Sequence, residues 1–466
     1  MNAFSEKIKN FLGSPEILFI EVFLFGILLI TEYSTTDKNF SIINVEQVFI
    51  IFQHVLIGLI SINIVTFSRP GLLTQTCGLF NFVSFSLFPI IETGSNTIYW
   101  GGSNLENDNK IFTNFVILSW TVLFAVTNRS SLRIPISFLK LHGKSSLTSY
   151  QAAVLITFGY LLLVFLVYMY NWDVGSLFYR GGDGRQDVNT DLNSIYLIVE
   201  FFLRPLIFNI GLYIFLIVQR SGVNFFLAIG LMLISAFPTG IPRFLATALY
   251  LPIILNWYLR NPKIQHKITK RVGYFLTNIL FFGLVVIMPF LDIFRTFESL
   301  ETTSFNIINL DTMLAGHFDG YQMTARALLI GDVTFGFGFL GSFLFFVPRS
   351  IWDSKPAASA QGVADRSNLY FDNVSMPLIA EFYLNFWYFG VIFGAVLLGV
   401  VARSIDSKFF KALDYNVSIG WIVYFELIGL LLLILRGSFL SAFAYLVAVL
   451  LGWVVIHFIK KMASQS

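Results

Sequence analysis

The stretch AEFYLNFWYFGVIFGAVLLG, residues 380–399, decides the fold class, because Glu381 is its only charged residue. A helix needs about 20 mainly apolar residues to cross a hydrocarbon core about 30 Å thick, and this stretch lies within an apolar run over 377–402. Similar runs recur along the chain, and of its 466 residues 56% are hydrophobic and only 12% are charged. With a mean hydropathy of +0.75, this composition excludes a water-soluble globular protein. The sequence predicts an all-α integral membrane protein.

About twelve apolar runs have the length of membrane-spanning helices. They lie near 16–33, 47–67, 71–91, 111–127, 150–171, 193–219, 224–238, 243–258, 272–292, 377–402, 418–435 and 437–459. Because neither an internal repeat nor a soluble domain is visible in the sequence, we expect a single multispanning domain over residues 1–466. Its one long polar connection, 293–376, joins predicted spans 9 and 10.

The basic residues indicate how the spans are oriented. Lys and Arg are concentrated in the loops on one side of the predicted spans, together with Lys7, Lys9, Lys460 and Lys461 near the two termini. Positively charged loops face the cytoplasm, so both termini are predicted to be cytoplasmic and the long loop to lie outside. The net charge of +3 gives no indication of a nucleic-acid partner. The single cysteine, Cys77, excludes a disulfide framework.

One segment of the long loop, 328–347, is apolar enough to be a further span. If it crossed the membrane, Arg403 and Lys461 would lie outside, against the charge bias. Its glycines, among them Gly336 and Gly338, permit tight turns where protein or water satisfies the backbone. We therefore predict that the loop contains short helices or a re-entrant element.

Several cations lie within spans or on the predicted outer side. Cations are rare in these places, so we expect each of them to be paired or to bind a ligand. Arg204 lies inside the sixth predicted span, where an unpaired arginine costs at least about 2.5 kcal/mol. It is explained either by an internal ion pair that ties helices together or by an anionic substrate. Convergent guanidinium and ammonium groups are expected for diphosphate recognition. The candidate diphosphate ligands are Arg204, Arg243, Arg326, Arg349 and Lys355.

The segment GHFDGYQMTAR, residues 316–326, holds the candidate catalytic groups. His317 is the only histidine predicted in an outer loop, and an imidazole near neutral pKa suits proton transfer. Asp319 could orient that imidazole or act as the base itself, and Glu381 is a further carboxylate near the same surface. The sequence contains neither a metal-ligand spacing nor a phosphate-binding glycine loop, so we expect no metal and no cofactor. The energy for catalysis must then come from an activated substrate.

The order of four segments resembles a known family. GHFDGYQM (316–323), a glycine-rich apolar stretch, FFVPRSIWDSKP (345–356) and AEFYLNFWYFGVIFGAVLLG (380–399) follow one another. This order is similar to that of the Wzy-type oligosaccharide repeat-unit polymerases, which make O-antigen and exopolysaccharide in bacterial inner membranes. The resemblance is best over 310–400. Elsewhere it is supported by the number of spans and by outer-side arginines.

This resemblance implies a GT-C-like fold and a metal-independent, inverting glycosyltransferase with its active site on the periplasmic face of the inner membrane. The donor and the acceptor would both be oligosaccharides linked to undecaprenyl diphosphate, in the synthesis of lipopolysaccharide or exopolysaccharide. The arginines would stabilise the departing diphosphate, and His317 or a nearby carboxylate would accept the proton of the attacking hydroxyl. Expected partners are a Wzz-type chain-length regulator and a flippase. The saccharide would contact Arg180, Arg185, Tyr321 and Trp352.

Three other functions are compatible with the sequence. An O-antigen ligase uses the same type of donor, but the segments containing PRSIW and AEFYLNF favour a polymerase. A lipid-linked oligosaccharide flippase or transporter would be expected to show two related halves, whereas the long loop has no counterpart in the first half of the chain. A passive assembly scaffold would leave Arg204 unexplained.

Overall fold

A computed structural model of the chain describes residues 45–67, 71–95, 97–135, 147–178, 194–217, 222–259, 268–283, 318–411 and 419–462. Over these ranges the chain folds into fourteen helices and one short helical turn at Gly175–Phe178. The described residues contain no strand. The prediction of an all-α protein is confirmed.

The helices are numbered in chain order. They are α1 (Val45–Phe67), α2 (Leu72–Ser95), α3 (Asn107–Arg129), α4 (Ser149–Met169), α5 (Ile195–Ile217), α6 (Val223–Ser235), α7 (Arg243–Leu259), α8 (Ile268–Phe282), α9 (Gly320–Ile330), α10 (Phe337–Phe343), α11 (Ser359–Arg366), α12 (Leu378–Lys411), α13 (Ile419–Arg436) and α14 (Phe439–Met462).

Seven of these helices are long and apolar enough to cross a membrane, namely α1 to α5, α12 and α14. Each lies on a run that the sequence predicts as a span, so a multi-pass membrane protein is confirmed by helix length and hydropathy. The shorter apolar helices α6, α7 and α8 overlap the predicted spans at 224–238, 243–258 and 272–292. The run at 418–435 contains α13. The predicted first span, 16–33, lies outside the described residues.

The described part of the long loop packs against several of the spanning helices. Its first helix, α9, is almost wholly buried and contacts α3, α11, α12 and a π-helical segment of α2, Val83–Leu87. Gly331 ends α9 in a left-handed conformation with φ 69°. The next helix, α10, has only seven residues. The segment 328–347 therefore contains no helix of membrane-spanning length, in agreement with the sequence.

Helix α12 is interrupted near its N-terminal end. Phe386 has φ −144° and ψ 19°, and Trp387 has φ 57° and ψ −149°, a region that residues other than glycine rarely occupy. The helical hydrogen-bond pattern cannot continue through these two residues. The backbone groups next to the interruption consequently need other partners, because an unsatisfied group in a bilayer costs several kcal/mol.

The glycine-rich segment between α9 and α10 supplies those partners. The carbonyl of Leu384 accepts a hydrogen bond from the Thr334 N–H at 2.8 Å, and the carbonyl of Asn385 accepts one from the Gly336 N–H at 2.9 Å. The side-chain Oδ1 of Asn385 accepts a further bond from the Phe339 N–H at 2.9 Å. The interruption of α12 and the loop that the sequence predicts as re-entrant therefore form one hydrogen-bonded unit.

The opposite end of the bundle is fixed by a buried carboxylate. Asp406, near the end of α12, accepts hydrogen bonds from the Leu73 and Thr74 N–H groups at 3.2 and 3.0 Å and from the Tyr424 hydroxyl at 2.6 Å. A negative charge at a helix N-terminus is favourable. This contact sets the position of α2, whose other end carries the candidate site.

Candidate functional site

A cavity of about 340 Å³ lies where the C-terminal end of α2, the beginning of α3 and α9 meet. This volume is within the usual range of small-molecule sites. By the predicted topology the cavity is on the outer side of the membrane. Its polar lining includes Glu92, Asn104, Asn107, Lys110, Tyr321 and Gln322.

Gln322 connects α9 to the cavity wall. Its Oε1 accepts a hydrogen bond from the Tyr99 N–H at 3.0 Å, and its Nε2 donates to the Thr97 carbonyl at 2.8 Å and to Glu92 Oε2 at 3.2 Å. The side chain is 5% exposed, and these three bonds use both of its amide N–H groups and its oxygen. The amide is therefore held in one orientation.

Asp319, directly before α9, and Arg326, within it, lie on the same face as Gln322 and hold the loop that follows α2. Asp319 Oδ2 accepts hydrogen bonds from Trp100 Nε1 at 2.8 Å and from the Ser375 N–H at 3.1 Å, and its Oδ1 accepts one from the Ser375 hydroxyl. Arg326 Nη2 donates to the Gly101 carbonyl at 3.0 Å. Trp100 and Gly101 have φ 63° and 72°, so the loop makes a tight turn that α9 stabilises.

Glu92 is the group in the cavity that is left incompletely bonded. It is 4% exposed, and its Oε1 makes no hydrogen bond within the described part of the chain. A buried carboxylate oxygen without a partner is costly, and the Tyr99 hydroxyl is the neighbouring donor to this carboxylate. Sequence reasoning missed Glu92. The available signal was its position directly after the apolar run 71–91.

Two phenols border the same carboxylate. The Tyr321 ring packs edge-on against the buried His54 ring, with 4.8 Å between ring centroids, and its hydroxyl donates to the Lys110 carbonyl at 3.4 Å. Burial, and then the Glu92 carboxylate, raises the pKa of Tyr321 well above its usual range. The same causes raise the pKa of Tyr99. Both groups therefore remain neutral hydrogen-bond donors.

Arg204, a predicted diphosphate ligand, has internal partners. It is fully buried, and its guanidinium donates to Glu200 Oε2 at 3.0 Å and to the carbonyls of Ser235, Gly240 and Leu177 at 2.7, 3.0 and 2.8 Å. It thereby joins α5 to α6 and to the turns on either side of them. This is the internal ion pair that the sequence analysis gives as the alternative to substrate binding.

Glu381, a predicted catalytic carboxylate, is also engaged within the protein. Its Oε1 accepts a hydrogen bond from the Phe439 N–H at 2.9 Å, and its Oε2 accepts one from the Ser359 hydroxyl at 2.7 Å. Because Phe439 begins α14, the carboxylate caps that helix. Glu381 does not line the cavity described above.

Lys355 and Arg349 stabilise the loop after α10. The Lys355 ammonium donates to the carbonyls of Phe345 and Val347, both at 2.8 Å, and Arg349 Nη1 donates to the Lys355 carbonyl at 2.7 Å. Burial, and then the Arg349 guanidinium, lowers the pKa of Lys355. None of the five predicted diphosphate ligands lines the cavity.

The remaining predicted site residues are distributed as follows. His317, Arg180 and Arg185 lie outside the described residues. Trp352 packs edge-on against Phe337 with 5.5 Å between ring centroids, away from the cavity lining. Of the predicted saccharide contacts that the structure describes, Tyr321 alone lines the cavity.

Sequence reasoning also missed Arg436. Its guanidinium lies 4.1 Å from the centroid of the Phe244 ring, a cation–π distance. Phe244 directly follows Arg243 at the start of α7, and Arg436 is the last residue of α13. Two arginines thus come from the same end of two packed helices. The signal in the sequence was a single arginine between the apolar runs 418–435 and 437–459.

Among the described residues, no group of three His, Cys, Asp or Glu side chains is arranged to hold a metal ion. A scan against protein-family models, a search of curated proteins and a search of solved structures find no match to this chain.

Proposed function

We propose that the chain is a GT-C-like polysaccharide polymerase that joins undecaprenyl-diphosphate-linked oligosaccharide repeat units at the periplasmic face of a bacterial inner membrane. The observation that carries this proposal is the cavity between α2, α3 and α9. Part of its wall comes from GHFDGYQM, the first segment of the family resemblance, through Tyr321 and Gln322.

The chemistry of the lining supports a saccharide ligand. A sugar presents many hydroxyls, each of which can donate and accept hydrogen bonds. The cavity is lined by the amides of Asn104 and Asn107, the ammonium of Lys110 and the carboxyl group of Glu92. These groups supply both donors and acceptors. The cavity also lies at the ends of membrane-spanning helices, so a lipid-linked glycan could enter it while its polyprenyl chain remains in the bilayer.

The donor diphosphate needs a separate cationic site, because Lys110 is the only cation that the described part of the chain contributes to the cavity lining. Among the described residues, the candidates are Arg243, which begins α7, and Arg436, whose guanidinium lies over the ring of Phe244. Guanidinium groups bind phosphate oxygens bidentately. They would stabilise the negative charge that develops as the lipid diphosphate leaves. In this proposal Arg243 keeps the role that the sequence analysis gives it, and Arg436 replaces Arg204 in that role.

The proposal is tested with purified protein in lipid nanodiscs, a synthetic lipid-linked repeat unit and EDTA. We expect a ladder of products that differ by one repeat unit and that EDTA does not suppress. A substrate whose acceptor hydroxyl is blocked serves as the control and should give no ladder. Movement of unchanged substrate across vesicles would instead indicate a flippase, and transfer only to lipid A core would indicate a ligase.

A further inference from the structure

We infer that an aromatic surface at the outer end of the bundle is immersed in the outer leaflet of the membrane, where it contacts lipid hydrocarbon. The surface consists of exposed side chains of the loop around α10 and of the α12 interruption, namely Phe335, Phe337, Phe343, Phe346, Phe386, Trp387 and Phe389. The first four belong to the long connection that the sequence places on the outer side. The inference does not depend on the proposed function.

The aromatic side chains of this surface have no cover within the protein. Phe335 is 87% exposed, Phe389 is 76% exposed and Phe346 is 53% exposed. Between Asp332 and Arg349 the sequence contains no charged residue. Because large exposed apolar patches mark contacts with a membrane or with another protein, the partner of this surface is not water.

The loop and the interrupted helix form one surface. A Cβ atom added to Gly336 would lie 3.0 Å from the Phe386 ring, so this ring rests on the backbone of the loop. The Phe339 ring joins the two parts, because its centroid is 5.8 Å from that of Phe386 and 6.4 Å from that of Phe343. The two parts therefore lie at a similar depth in the membrane.

The length of α14 indicates that depth. The helix has 24 residues and carries Lys460 and Lys461 in its last turn. The part before these lysines is about 31 Å long at 1.5 Å per residue, which matches a hydrocarbon core about 30 Å thick. With the lysines at the cytoplasmic boundary, Phe439 lies at the outer boundary and Phe443 lies about 6 Å inside it. Phe343 of α10 contacts both rings, with centroid distances of 6.0 and 4.9 Å, so α10 lies at the depth of the outer acyl chains.

Lipid is favoured over a protein partner because the surface continues the lipid-facing side of a spanning helix. Phe389 is followed one turn later along α12 by Ile392 and Phe393, which are 51% and 57% exposed. No charged residue separates them from the interruption. Trp387 adds an indole, a group that is enriched where a membrane meets water. The interruption of α12 thus places aromatic side chains toward the bilayer.

The inference is tested on the full chain in lipid nanodiscs, with single cysteines labelled by the fluorophore NBD. Phe335→Cys and Phe346→Cys report on the surface. The matched control is Tyr370→Cys, because Tyr370 is 79% exposed but lies beside the polar residues 372–373. The unsubstituted chain measures the background from Cys77, which is 1% exposed. Each sample is quenched from the bilayer by a phosphatidylcholine with a doxyl group near the start of one acyl chain, and from water by iodide.

We expect the doxyl lipid to quench NBD at positions 335 and 346 several-fold more strongly than at 370. Iodide should show the reverse order, because an ion is excluded from hydrocarbon. Equal quenching by iodide at all three positions would overturn the inference, since the surface would then face water. Protection of 335 and 346 from both quenchers would also overturn it, and would assign the surface to a protein partner such as a second copy of the chain. Size-exclusion profiles show whether each variant is folded, and Phe335→Cys decides the matter if Phe346→Cys is not.

Discussion

Arg204 shows how an arginine can be buried inside a membrane protein without a substrate. Its guanidinium has one carboxylate partner, Glu200, and three backbone carbonyls as acceptors. Arg366 provides the contrast, because it pairs with Asp332 while the two side chains are 52% and 66% exposed. The same kind of ion pair therefore occurs in two environments, and its contribution to stability should differ between them.

Replacing Arg204 with alanine leaves the Glu200 carboxylate buried without its cation. Loss of one partner of a buried pair costs about 3–5 kcal/mol, whereas loss of an exposed pair costs about 0–1 kcal/mol. We expect Arg204→Ala to lower the thermal-unfolding midpoint in detergent far more than the control Arg366→Ala. Equal midpoints together with a lost polysaccharide ladder would instead assign Arg204 to the substrate.

At the scale of elements, the interruption of α12 depends on close approach of the backbone. A Cβ atom added to Gly390 would collide with the Phe382 carbonyl one turn before the interruption. Hydropathy identifies α12 as a span but carries no information about this irregularity. Helix α12 contains no proline, and the residues that adopt unusual dihedrals, Phe386 and Trp387, are themselves apolar. Of the glycines in 331–341, Gly331 and Gly336 adopt left-handed turn conformations as expected, whereas Gly338 and Gly341 lie in α10. The glycines do not indicate that the turns bond to α12.

Gly390→Ala tests this unit. The added methyl group has no space, and overpacking of this kind costs about 1–3 kcal/mol, so we expect a lower unfolding midpoint. The control is Gly362→Ala in α11, where a Cβ would meet nothing within 4 Å and alanine favours the helix by about 0.5–1 kcal/mol. If both variants unfolded at the same temperature, the close contact at Gly390 would not exist.

At the scale of the whole molecule, the cavity lies at the beginning of α3, and Arg129 and Arg133 lie at and just beyond its other end. Tyr370, whose N–H bonds to the Trp100 carbonyl, is at the end of the bundle where α3 begins. Leu132 lies three residues after Arg129, the last residue of α3. With 23 residues, α3 is about 35 Å long at 1.5 Å per residue. The two positions should therefore be on different sides of the membrane.

Cysteine labelling of intact cells measures this orientation. The native Cys77 is 1% exposed, whereas Tyr370 and Leu132 are 79% and 58% exposed. We expect a membrane-impermeant maleimide to label Tyr370→Cys in intact cells. Leu132→Cys should react only after the membrane is permeabilised, because positively charged loops are cytoplasmic. The unsubstituted protein controls for background, and the reverse labelling pattern would place the cavity in the cytoplasm.

The candidate site was predictable only in part, for a physical reason. The length and hydropathy of an apolar run identify a membrane helix because they depend on that segment alone. The cavity instead depends on contacts between distant segments, such as the one between Glu92 and Gln322, which are 230 positions apart. The cations were expected to converge on a ligand. In the described residues, several of them bond to backbone carbonyls at loops and helix ends.

The contact between α9 and the loop after α2 also constrains when the cavity can form during synthesis of the chain. The ribosome delivers Glu92 to the membrane 230 residues before Gln322. Until α9 is inserted, the hydrogen bonds from Gln322 to Glu92 and Thr97 and from Arg326 to Gly101 are missing. A nascent or truncated chain that stops before residue 318 thus has the other walls of the pocket but lacks the helix that organises them. The cavity is therefore complete only after residues 318–330 have been synthesised and inserted.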